Sequence, residues 1–252
     1  MMNVFNDLLA SLPHGDAPVR RVCTGAFWTT VTSAHTGLAT TYREADQQHT
    51  DKPSMVQQAG TLDGLTASEL ARYALSENTV AASIGMAALN SALEVDESRC
   101  EEINASEVAA EKGAGKNIAI IGHFPFAQKL RAQAANLWIL ERAKKPGTLP
   151  ESEAENILPQ CDVVCMTGTT LINHSFDRMM ALCRNAFVIL TGPTSPLSPV
   201  LFDYGVDVIS GCRVTDADLV NHYITQGATF RQLKHQGVRL LSMRKEAWNS
   251  KP

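Results

Sequence analysis

From Ile118 onward the chain repeats one rhythm: a short apolar run, a helical segment, then another apolar run. The runs are Ile118-Ala119-Ile120-Ile121, Leu137-Trp138-Ile139-Leu140, Val163-Val164-Cys165-Met166, Phe187-Val188-Ile189-Leu190 and Val206-Asp207-Val208-Ile209. Helical segments such as 176–184 and 216–226 separate them. Strands apolar on both faces, alternating with helices, demand a parallel sheet covered on both sides. Residues 238–243 add a sixth expected strand. The reading is a Rossmann-like α/β domain.

The first half has a different pattern. Val4, Leu8, Leu9 and Leu12 recur at helical spacing and stop at Pro13. Three extended runs follow at 19–24, 27–33 and 38–42, with a tight His35-Thr36-Gly37 link that predicts a hairpin. Residues 44–61 are polar and aperiodic and predict a long loop. Thr66-Ala67-Ser68-Glu69 is a capping-box pattern opening a helix, and Asn78 can cap a second, Ala-rich one. Gly85 within that helix lowers its intrinsic stability but permits close packing on the sheet. The order β-β-β-α-α predicts a small α+β domain over 1–112. Gly113-Ala114-Gly115-Lys116 then reads as a linker into the α/β domain over 113–252.

Composition excludes several classes. With 44% hydrophobic residues and a net charge of −4, the chain is of ordinary globular type and lacks the basic footprint of a nucleic-acid binder. No signal peptide and no apolar run of membrane-spanning length is seen, so a cytoplasmic protein with no membrane partner is expected. A homo-oligomer stays open. The six cysteines are dispersed and form no Cys-x-x-Cys pair. Cys161 and Cys165 would lie on the order of 13 Å apart along a strand, too far to share an ion, and read as buried hydrophobes.

In open α/β sheets ligands bind beyond the carboxyl ends of the strands, where strand order reverses. Those ends carry Gly122-His123-Phe124-Pro125, Glu141, Thr167-Gly168-Thr169-Thr170 with Asn173, the run Gly192-Pro193-Thr194-Ser195-Pro196-Leu197-Ser198-Pro199, and Ser210-Gly211-Cys212. The first strand borders the reversal in both common strand orders, which puts His123 at the cleft. A dinucleotide fingerprint is missing, because only Gly122 stands where Gly-x-Gly-x-x-Gly is needed and Pro125 removes an N–H. Glu141 nevertheless occupies the position of a ribose-binding carboxylate. The Thr167–Thr170 turn suits either an anion or N-capping. The three prolines after Gly192 stiffen a loop that can place Thr194 and Ser195 against a ligand. His123 and Cys212 are the imidazole and thiol at strand ends, a pair suited to a transition-metal ion, and His123 also suits proton transfer. His174, His222 and His235 fall on helices or near their ends and read as solvated; His14, His35 and His49 fall in loops or turns.

Several of these strings together resemble the heavy-metal-chelation domain family, a family of unknown function. They are Gly122-His123-Phe124-Pro125, Pro146-Gly147-Thr148-Leu149-Pro150, Asp162-Val163-Val164 leading into Thr167-Gly168-Thr169-Thr170-Leu171-Ile172-Asn173, Gly192-Pro193-Thr194-Ser195-Pro196-Leu197, and Gly205-Val206-Asp207 with Ser210-Gly211. Gly25, Trp28, Thr29 and Gly37-Leu38-Ala39 extend the likeness into the first half. The resemblance implies an enolase N-terminal-like domain followed by a Rossmann-like domain, with a site between them. It carries His123, Thr167, Asn173, Thr194 and Ser195 as site residues. At one place this chain departs: His174-Ser175 follows Asn173 where a small residue and Thr are expected.

Two main readings result. In one, the cleft binds a metal ion or a small anionic metal-chelating ligand. His123 acts as ligand or acid/base, Cys212 as a second metal ligand, and Thr167, Gly168, Thr169, Asn173, Gly192, Pro193, Thr194, Ser195 and Gly211 line it. In the other, the chain is a nucleotide- or cofactor-dependent enzyme without a metal, with Glu141 on a ribose. A non-catalytic interaction module is a third reading.

Overall fold

The structure is a computed structural model and describes residues 4–43, 55–143 and 145–245. The expected helix at the start is α1 (Val4–Ala10), and the three extended runs are β1 (Arg21–Thr24), β2 (Trp28–Thr32) and β3 (Thr36–Thr40), an antiparallel sheet in that order. Two helices follow, α2 (Ala67–Ala71) and α3 (Thr79–Ala92). The capping box forms as read: Thr66 Oγ1 accepts from Glu69 N, and the Glu69 carboxylate accepts from Thr66 N. Asn78 Oδ1 accepts from Val80 N and Ala81 N and starts α3. Part of the expected 44–61 loop, residues 44–54, lies outside the described residues, as does His49.

The second half forms an eight-stranded sheet in the order β4-β11-β10-β9-β8-β5-β6-β7. Its strands are β4 (Cys100–Glu101), β5 (Asn117–Ile121), β6 (Asn136–Glu141), β7 (Leu149–Pro150), β8 (Val163–Thr167), β9 (Phe187–Thr191), β10 (Val208–Val214) and β11 (Val238–Arg244). The strands from β5 to β10 are parallel to their neighbours in this order; β11 and β4 add antiparallel edges. The helices between them are α4 (Ala105–Gly113), α5 (Ala127–Arg131), α6 (Ala154–Ile157), α7 (Thr169–Ile172), α8 (Phe176–Leu182), α9 (Val200–Asp203), α10 (Ala217–Thr225) and α11 (Phe230–Leu233).

The all-apolar strands follow from burial on two faces. Successive side chains of a strand point to opposite sides. Ile118, Ile120, Val163 and Cys165 enter one core with Val108 of α4 and Leu130 of α5. Ala119, Ile121, Val164 and Met166 enter another, with α1, α3, α7 and α8. Cys161 and Cys165 are buried free thiols, as expected.

The small sheet is itself enclosed on both sides. Val31 and Ala39 face α3, whereas Leu38, Trp28 and Cys23 pack with Val220 and Ile224 of α10 and with Cys212. Thr30 Oγ1 donates to Asn221 Oδ1 across that second contact, in a fully buried position. Small residues make the α3 side possible. A Cβ on Gly37 would sit 2.0 Å from Ala87 O; Gly85 of α3 makes room not for the sheet but for the turn at residues 72–75, where its Cβ would sit 1.9 Å from Ala74 N.

One expected boundary is corrected. Ser210, Gly211 and Cys212 do not lie past the end of their strand but inside β10. The cause is β11, whose antiparallel pairing extends from Val208↔Arg244 to Val214↔Val238, while parallel pairing with β9 ends at Ser210.

Gly85→Ala provides a test of the close packing. Helix propensity alone favours Ala by about 1 kcal/mol. The backbone clash with Ala74 reverses this, and a net loss of about 2 kcal/mol or more is expected. Denaturant unfolding measures it; an unchanged or raised midpoint would show that α3 and the turn at residues 72–75 are not in such close contact.

Candidate functional site

The chain runs β5 to β6 on one side and returns to β8 on the other, so strand order reverses between β5 and β8. Three glycines form the rim there. Gly122 N donates to Leu140 O, Gly168 N to Thr191 O, and Gly192 N to Ser210 O, each at 2.9 Å. Each continues the ladder by one rung and then lets the chain turn. Gly122 does so at φ +102, and a Cβ there would sit 2.9 Å from Thr167 Cγ2. Glycine meets both demands.

His123 follows Gly122 and is exposed, with no hydrogen-bond partner among the described residues. Phe124 and Phe126 stack beside it with ring centroids 5.0 Å apart. Across the reversal, Thr167 and Thr169 pair their hydroxyls at 3.1 Å, and Thr167 Oγ1 accepts weakly from Thr169 N. The helix they lead into, α7, is a single turn, so its dipole adds little to anion binding. Asn173 closes that turn: its Oδ1 accepts from Ser175 N and Ser175 Oγ. His174 stands at φ +57, which explains the small residue expected there. Its ring is not simply solvated. Nε2 donates to Ala74 O at 2.8 Å, and the ring meets Phe5 edge-on.

The proline-rich loop crosses β10 where Gly211 leaves room; a Cβ at Gly211 would lie 2.7 Å from Ser195 O. Pro193 and Gly192 are half-buried, whereas 194–198 are buried. The Thr194 hydroxyl is fully engaged, accepting from Thr40 N at 3.0 Å and donating to Thr40 Oγ1 at 3.1 Å. Thr194 therefore fastens the loop to β3. Ser195 differs. Its Oγ is buried with no hydrogen-bond partner, packed where Gly168 has no side chain. Asn90 of α3 donates through Nδ2 to Leu38 O and Thr194 O, and leaves a buried Oδ1 without a partner. Sequence reasoning passed over Asn90, although a lone amide in an Ala-rich helix was the available signal.

Glu141 lies at the end of β6 but is occupied: Oε2 pairs with Lys145 Nζ at 2.8 Å and Oε1 accepts from Arg142 N. Cys212 is not beside His123. Its strand is three places from β5, about 14 Å at ordinary strand spacing. Its Sγ sits against Pro193 O, and burial pushes the thiol up to about 12. Among the described residues, no group of three or more potential metal ligands includes either residue. The donors at the cleft thus do not fit an ion shared by His123 and Cys212. They are hydroxyls, an amide and backbone N–H groups, suited to the oxygens of an organic ligand.

Two family models match the chain. DUF364, described as "Putative heavy-metal chelation", matches residues 104–242, and DUF4213, with the same description, matches 5–93. The chain belongs to the DUF364 family. A crystal structure of a DUF364 family protein of unknown function from Desulfitobacterium hafniense is 26% identical, with a TM-score of 0.80 over 96% of this chain and 97% of that one. A second, from Pyrococcus horikoshii, is 18% identical and shares the fold at a TM-score of 0.79, covering 96% and 98%. An uncharacterised protein of Methanocaldococcus jannaschii is 29% identical over 128 residues, 48% of this chain and 49% of that protein. That match spans about half the length of the relative. No described helix is long and apolar enough to cross a membrane.

The reactivity of the half-buried Cys212 thiol is open to direct measurement. At about pH 8 a thiol with its pKa near 12 holds on the order of one thiolate in ten thousand. Native protein treated with iodoacetamide is expected to leave Cys212 and Cys165 unlabelled by peptide mass spectrometry, while unfolded protein takes label at both. Rapid native labelling of Cys212 would show an accessible thiolate and return it to the list of metal ligands.

Proposed function

We propose that the cleft at the β5/β8 reversal binds a small, oxygen-rich ligand of the metal-chelating class, in keeping with the family's description. Thr167, Thr169, Ser195 and the backbone of Gly168 are its contacts, and His123 at the rim is its proton donor or acceptor. The observation that carries this reading is the pair of buried polar atoms without partners, Ser195 Oγ and Asn90 Oδ1, from the proline-rich loop and from the side chain that donates to Thr194 O. A buried polar atom without a hydrogen bond costs about 1–3 kcal/mol, and a ligand atom that pairs with it recovers that loss on binding. A ligand that brings both acceptors and hydroxyl donors, such as a hydroxycarboxylate, fits a hydroxyl and an amide oxygen together. The nucleotide reading finds less support. Glu141 is already paired, and α5 is only five residues long, too short to offer a phosphate much of a dipole.

Native mass spectrometry of protein purified without chelator, compared with the denatured mass and with elemental analysis, identifies what the cleft retains. Thermal shifts with citrate, catechol and acetohydroxamate then test the contacts. At least one of these is expected to raise the melting temperature of the wild type. Ser195→Ala is expected to weaken its binding about tenfold, the equivalent of about 1.4 kcal/mol. His123→Ala is expected to weaken it as well. A mass excess matching a nucleotide, or variants that bind the chelators as the wild type does, would remove this reading.

A further inference from the structure

Away from the strand ends, three side chains distant in sequence converge at the C-terminal end of α3. His14 lies in the loop after α1, His35 in the β2–β3 hairpin turn, and Glu94 two residues past the end of α3. His14 Nε2 is 2.9 Å from Glu94 Oε2, and His35 Nε2 is 3.3 Å from the same oxygen. The two rings meet edge-on with centroids 5.6 Å apart. One ligand atom from each residue lies within 4.8 Å of the other two.

The backbone holds this arrangement in place. His14 N donates to Ala92 O, and His35 N donates to Ser91 O. Both histidines are thus hung on the last carbonyls of a 14-residue helix. Ser33 Oγ joins Ser91 Oγ at 2.6 Å and secures the hairpin to the same turn. The carboxyl end of a helix carries partial negative charge and favours a cation.

We infer that His14, His35 and Glu94 form a binding site for a first-row divalent metal ion of the zinc, cobalt or nickel type. Two imidazoles and a carboxylate are a ligand set of this class, and they leave further positions to water or to an incoming ligand. Tetrahedral coordination at ordinary metal–nitrogen and metal–oxygen lengths places ligand atoms about 3.3 Å apart. The His35–Glu94 separation of 3.3 Å already matches this, and the His14–Glu94 separation of 2.9 Å needs to lengthen by a few tenths of an ångström. Moving the imidazole proton from Nε2 to Nδ1 turns each Nε2 lone pair toward the common point, with no net change in charge. The histidine side chains are 38% and 35% exposed, so an ion reaches them from solvent and can leave again. Such a site suits capture and transfer of a metal better than permanent structural storage. It shares no residue with the cleft proposed above, and either assignment stands if the other fails.

The test uses the full chain, stripped with a chelator and returned to metal-free buffer. Zinc is titrated in competition with a chromophoric indicator, and cobalt is followed by its visible absorption. One equivalent is expected to bind. Loss of an outer partner of a metal ligand commonly costs about 10–100-fold in affinity, so His14→Ala and His35→Ala are each expected to weaken zinc about 100-fold or more. Glu94→Gln is expected to weaken it less. Cys212→Ser is expected to bind as the wild type, and circular dichroism of the metal-free variants checks their folding. The cobalt spectrum is expected to lack a thiolate charge-transfer band. No binding by the wild type, unchanged affinity in the His14→Ala, His35→Ala double variant, or a thiolate band would each overturn the assignment.

Discussion

The closeness of α3 to β3 is the constraint on which the rest of the molecule hangs. Where Gly37 passes Ala87 there is no room for even one methyl group. That approach places Asn90 within reach of both Leu38 O in the small sheet and Thr194 O in the large half. It also brings the end of α3 to the hairpin turn. A large side chain on this face of α3 would lift the helix and separate all of these contacts together. The alanine-rich composition of α3 is therefore a geometric requirement, and its helix propensity is a secondary benefit.

The two halves of the chain interlock more than their sequence patterns suggest. The small sheet is covered by its own α3 on one face and by α10, from the far end of the chain, on the other. Residues 100–113 lie with the large sheet, through β4 on β11 and α4 against the core of β5 and β8. This enclosure explains why β2 is buried at Thr29 and Thr30 despite being polar. The Thr30 hydroxyl finds a buried amide in Asn221, and that of Thr29 finds Thr41.

The large sheet was legible because burial on two faces leaves a continuous apolar run, a strong local signal. The capping box at Thr66 and Glu69 was legible for the same reason: its partners are three residues apart. The end of β10 was not, because its length is set by β11, some thirty residues on in the register Ser210↔Ser242. The expected pairing of His123 with Cys212 treated nearness to strand ends as nearness in space, whereas β8 and β9 stand between their strands. His14 and His35 read from sequence only as loop or turn histidines, and Glu94 carried no signal at its helix terminus. Only the closure of the hairpin onto α3 makes them neighbours, and no local pattern encodes that closure.

Thr194 and Ser195 are consecutive residues with opposite consequences. Thr194 bonds the proline-rich loop to β3, so the floor of the cleft is a brace between the two halves. Rigid-body opening of the halves at this point would break that brace first. In the ligand-binding reading proposed above, access belongs to the other rim, where His123, Phe124 and Phe126 precede a helix of a single turn and a half. In the same reading, selection belongs to the floor. Because Ser195 is held by a fastened neighbour, it cannot swing away to accommodate a ligand that lacks a matching polar atom. Such a ligand would leave the hydroxyl as unpaired as before. Discrimination at the proposed cleft thereby rests on what the fold refuses to rearrange.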